Sequence, residues 1–93
     1  MERVMLIRKM DVVFKELPGF CAYKDYKIKE INNETKTIKA KKGRHIFGEV
    51  VELELQLSEV DFEIVNLKIE ILKRGITQKE LEEEFVEQIY KFF

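Results

Sequence analysis

From Gly48 to Leu72, apolar and polar residues alternate through two long runs, and this pattern constrains the fold more than any other stretch. In the first run Val51, Leu53, Leu55 and Leu57 fall on one side and Glu52, Glu54 and Gln56 on the other. In the second, Val65, Leu67, Ile69 and Ile71 alternate with Asn66, Lys68 and Glu70. Period two is the signature of a half-buried strand. Ser58-Glu59-Val60-Asp61 reads as the polar turn of a hairpin, and a sheet with one greasy face must be covered on that face.

The flanking segments supply the cover and two more strands. Leu6, Met10, Val13, Phe14 and Leu17 recur at three- and four-residue steps, which predicts a helix over residues 3–17, ended by Pro18-Gly19. Alternation from Tyr23 to Ile31 predicts a strand, with Tyr26 and Ile28 on one side and Lys27 and Lys29 on the other. Asn32-Asn33-Glu34-Thr35 is turn chemistry, and Lys36 to Lys42 follows as a strand with Ile38 and Ala40 inward. Lys73-Arg74-Gly75-Ile76 breaks the strand pattern. Thr77 with Glu80 three residues on forms a capping box for a second helix, whose start suits Glu82, Glu83 and Glu84. Leu81, Phe85, Ile89 and Phe92 are its expected buried stripe, widened by Val86, Tyr90 and Phe93.

These elements add up to one α+β domain over residues 1–93. The expected architecture is a two-layer sandwich in the order α-β-β-β-β-α, a four-stranded antiparallel β-meander with the N- and C-terminal helices on one face. Ninety-three residues suffice for one core. The strand pattern of residues 37–40 and 48–55 is similar to strand pairs of small prokaryotic proteins, a generic likeness that implies no activity.

Charge is nearly balanced overall, at −1, but unevenly spread. Residues 24–44 carry eight Lys or Arg against three acids, whereas residues 49–63 carry six acids and no base. Antiparallel pairing of the second and third strands would set Lys39 and Lys41 beside Glu52 and Glu54, so the blocks read first as cross-strand pairs. A nucleic-acid strip of Lys27, Lys29, Lys39 and Lys41 is disfavoured by the acidic neighbouring strand and by the lack of a stacking row of aromatics.

Chemistry-bearing residues are few. Cys21 is the only cysteine and His45 the only histidine, so neither a disulfide nor a cysteine- or histidine-based metal site is expected, and no cofactor is implied. The one serine, Ser58, lies a full strand away from His45, about 30 Å in extended chain, too far for a triad. Val4 to Ile7 is too short for a signal-peptide core or a membrane span, and a cytoplasmic protein without membrane association is expected.

Three functional expectations follow. In a meander, Cys21, Lys42, Arg44, His45, Lys73 and Arg74 gather at one end of the sheet with the start of the second helix. Arg44, His45, Lys73, Arg74 and Thr77 are therefore the candidate contacts of a small anionic ligand. Cys21 beside His45 is a candidate reactive thiol, against its simpler reading as a small buried hydrophobe. The leading expectation is a non-catalytic binding or assembly module that forms a homo-oligomer. Ile64 and Leu72 lie on the second hairpin strand, which would be a sheet edge, and Phe92 and Phe93 could join such a contact.

Overall fold

A computed structural model of the chain describes residues 1–43 and 50–93. The order of elements is β1 (Glu2–Leu6), α1 (Met10–Tyr23), β2 (Lys27–Asn32), β3 (Thr37–Lys42), β4 (Val51–Asp61), β5 (Ile64–Lys73), β6 (Ile76–Thr77) and α2 (Lys79–Phe92). The sheet runs β1-β5-β4-β3-β2 with every neighbouring pair antiparallel, and β6 pairs with β5. The fold is α+β with an antiparallel sheet, as the sequence pattern implies, but the described residues form six strands rather than four.

The added strands lie where local periodicity misled. Residues 2–6 form a strand, with Val4 and Leu6 buried and Arg3 and Met5 exposed, and the helix begins only at Met10. Leu6 sits at a spacing that serves either element. The helix also runs through Pro18-Gly19 to Tyr23, because the extra turn buries Phe20 and Cys21. The missing N–H of an interior proline forfeits one helical hydrogen bond, a cost offset here by that burial.

The central hairpin follows the alternation closely. Beside it, β3 pairs with β4 so that Lys39 stands opposite Glu54 and Lys41 opposite Glu52, the neighbours expected from the charge blocks. Ser58 to Asp61 are strand rather than turn; the turn is Phe62-Glu63, with the pairing shifted between Glu59 and Asp61. Asn32 does close the β2–β3 turn, its Oδ1 accepting the N–H groups of Glu34 and Thr35 at 2.9 and 3.1 Å.

One face of the sheet carries both helices. α1 packs over β2 and β4, and α2 over β1 and β5. Between the layers lie Ile38, Leu53, Leu55, Leu67, Ile69 and Ile71 of the sheet with Leu17, Phe20, Phe85 and Ile89 of the helices. Rings bind the two helices together: Phe20 meets Phe85 edge-on at 5.2 Å between centroids and Phe92 at 5.0 Å. No helix among the described residues is long and apolar enough to cross a membrane.

Candidate binding surfaces

The loop end of the sheet is only partly the site that the sequence suggests. Arg44 and His45 lie outside the described residues. Lys42 and Lys73 stand on either side of Val51 in one row of the sheet. Arg74 and Gly75 are the two central residues of a hairpin turn, both at positive φ (56° and 76°), and Lys73 pairs with Ile76 across it. That is the type I′ geometry, which needs a residue such as glycine that accepts positive φ. The Lys73–Ile76 stretch thus continues the sheet instead of breaking it.

Thr77 is consequently not a helix cap. It pairs with Leu72 as part of β6, and α2 starts at Lys79 with Gln78 at the cap position and no side-chain capping bond. Cys21 does not belong to the rim either. It is wholly buried in the core, and burial pushes its thiol up to about 12. Such a thiol holds almost no thiolate at neutral pH, so the simpler reading, a small buried hydrophobe, describes it. Among the described residues no three His, Cys, Asp or Glu side chains are placed to hold a metal ion.

The two edges of the sheet differ in kind. At β2 the pairing is interrupted between Ile28 and Glu30, where Lys29 is the unpaired residue, and Lys27 and Lys29 are exposed. A bulge and lysines are the usual means by which an edge is kept from pairing with another strand. β1 has neither. Its register against β5 is regular from Glu2 opposite Ile69 to Leu6 opposite Val65.

Which backbone groups β1 leaves open follows from Ile71. Its carbonyl accepts the N–H of Gln78 at 2.8 Å and its N–H donates to Glu82 at 2.8 Å, so Ile71 faces away from β4. Alternation along an antiparallel strand then turns Val65, Leu67 and Ile69 toward β1, where they meet Leu6, Val4 and Glu2. The N–H and C=O groups of Arg3 and Met5 therefore point to the free edge. Flanking them, Met5 is 50% and Ile7 76% exposed. A cleft of about 230 Å³ lies between this end of β1 and the last turn of α2, lined by Met5, Leu6, Ile7, Arg8, Tyr90 and Phe93.

The expected oligomer edge at β5 is accordingly not an edge at all. β1 covers its first half and β6 its end, and β1 inherits the role. The signal for this was present in the sequence as the short alternation Arg3-Val4-Met5-Leu6. Glu82 was likewise legible, since it lies three residues before Phe85 and seven before Ile89 on the buried stripe. It is 0% exposed, with its Oε1 2.6 Å from the amino group of Met1.

No protein-family model matches the chain, and no curated protein matches it in sequence.

Proposed function

We propose that the protein is a small non-catalytic assembly module whose copies join through the edge of β1. The observation that carries the reading is the contrast between the two edges: β2 is bulged and lysine-bearing, while β1 is regular, open and flanked by exposed apolar side chains. Two β1 strands related by a two-fold axis run antiparallel, the geometry that lets the outward groups of Arg3 and Met5 find partners of the same kind. The sheet would then continue across both copies, with Met5 and Ile7 withdrawn from water and the cleft beside Tyr90 and Phe93 available to a partner side chain. A cytoplasmic setting is part of the proposal and suits a chain whose one cysteine is an unpaired thiol.

Sedimentation equilibrium over a range of concentrations tests it. A monomer–dimer equilibrium is expected for the wild-type chain, and a monomer for Met5→Pro, which deletes an outward N–H that no backbone pairing among the described residues uses. A wild-type chain that stays monomeric at every concentration overturns the reading.

A second reading, a small anion at the loop end, is supported by the clustering of Lys73 and Arg74 beside Lys42 at one rim. Thermal-shift screening with phosphate-bearing compounds tests it: stabilisation that is lost in Lys73→Glu supports it, and no stabilising compound rejects it. Cysteine-dependent catalysis finds no support, given the burial of Cys21.

A further inference from the structure

Away from β1, the end of α1 and the length of α2 border an open, two-lobed groove. One lobe, of about 430 Å³, is polar, with Lys24, Asp25, Lys42 and Glu84 around the Tyr26 ring. The other, of about 340 Å³, is apolar, with Phe20, Tyr23 and Phe92 as its walls and Lys91 at its margin. Tyr23, Lys24 and Gln88 line both lobes, so the two are continuous. Each lies toward the lower end of the roughly 300–1,000 Å³ usual for small-molecule sites.

The packing of the core accounts for Phe20 and Phe85 but not for what surrounds them. Tyr23 is 76% and Phe92 47% exposed, and Phe92 packs one side of its ring on the buried Phe20 while leaving aromatic surface open beside Tyr23. At the polar end, Lys42 Nζ lies 4.6 Å from the centre of the Tyr26 ring and Lys24 Nζ 5.1 Å from that of Tyr23. Among the described residues neither ammonium forms an ion pair with Asp25 or Glu84, though all four groups border the same lobe. Glu84 is near enough to Tyr26 to help burial and the Cys21 thiol raise its phenol.

Two ammoniums and two carboxylates held apart from one another, beside an apolar lobe walled by rings, complement a ligand that carries both charges and a ring. We infer that this groove binds a small aromatic zwitterion of the size of an aromatic amino acid. The ligand carboxylate meets Lys24 and Lys42, its ammonium meets Glu84 and Asp25, and its ring lies against the exposed rings of Tyr23 and Phe92. The inference is independent of association through β1, because none of these residues belongs to that edge.

Titration of the 15N-labelled full chain with L-phenylalanine tests it. Saturable amide shifts are expected at Tyr23, Lys24 and Gln88, with affinity at least tenfold weaker for 3-phenylpropanoate, which lacks the ammonium, for phenethylamine, which lacks the carboxylate, and for L-alanine, which lacks the ring. Lys42→Glu should weaken L-phenylalanine binding tenfold or more, and Lys39→Glu on the opposite face of the sheet should leave it unchanged. No saturable shift with L-phenylalanine, or equal affinity for any of the three analogues, overturns the inference.

Discussion

Glu82 of α2 reaches into the sheet and accepts the backbone N–H of Ile71 at 2.8 Å. The position is one that no strand among the described residues fills. Pairing of β1 with β5 ends at Glu2 opposite Ile69, and β6 reaches the carbonyl of Ile71 through Gln78 but not its N–H. A carboxylate oxygen stands in for the missing strand, and the Met1 ammonium balances its charge. Replacing Glu82 by leucine, which roughly keeps the volume, leaves that N–H without an acceptor. A loss of about 1–3 kcal/mol is expected, read from the urea midpoint at unchanged slope. Glu82→Gln keeps an acceptor and should lose less. Equal stability of Glu82→Leu and the wild type would mean that Ile71 is satisfied in some other way.

α1 carries two of the worst helix formers side by side, Pro18 and Gly19, in its interior. A Cβ built on Gly19 meets nothing within 4 Å, so the glycine is not there for space. Gly19→Ala should stabilise the fold by about 0.5–1 kcal/mol, seen as a rise in the midpoint of thermal or urea unfolding. A destabilised variant would show that the backbone at residue 19 departs from helical geometry.

The buried thiol and phenol set the alkaline limit of stability. Burial pushes both Cys21 and Tyr26 up to about 12, from ordinary values of 9.0 and 10.0. Each folded-state value is raised, so the unfolded chain loses its proton first. Stability is then fully present below about pH 9 and falls as pH rises toward 12, at most by about 1.4 kcal/mol per pH unit for each group. Cys21→Ala should reduce the slope from pH 9 upward, measured by urea unfolding at a series of pH values, and Cys21 should resist alkylation at pH 8 until the chain unfolds. Rapid alkylation of the folded protein at that pH would contradict its place in the core.

The register of the central hairpin was hidden, because the polar stretch from Ser58 to Asp61 is strand and the turn falls at Phe62-Glu63. The alternation of the long strands was legible, and with it the approach of Lys39 and Lys41 to Glu54 and Glu52 across β3 and β4. The helix-covered face was legible from the same alternation. What else was hidden depended on tertiary competition. Leu6 fits the spacing of α1 as well as that of β1, and pairing with Val65 decides between them. Thr77 and Glu80 match a capping box, yet the turn at Arg74-Gly75 draws Thr77 into a pair with Leu72. The candidate site was less legible: Cys21 lies on the core side of α1 and Thr77 in a strand, and of its described residues Lys42, Lys73 and Arg74 lie at the rim. The open edge of β1 could not be found while residues 3–6 were read as helix.

Association through β1 is tested most directly by hydrogen exchange at single amides as a function of protein concentration. The Arg3 and Met5 amides, which face outward on the free edge, should exchange freely in dilute protein and become protected as concentration rises, while the outward amides of β2 remain unprotected throughout. Exchange at Arg3 and Met5 that does not vary with concentration, or protection that grows at β2 instead, would contradict the account.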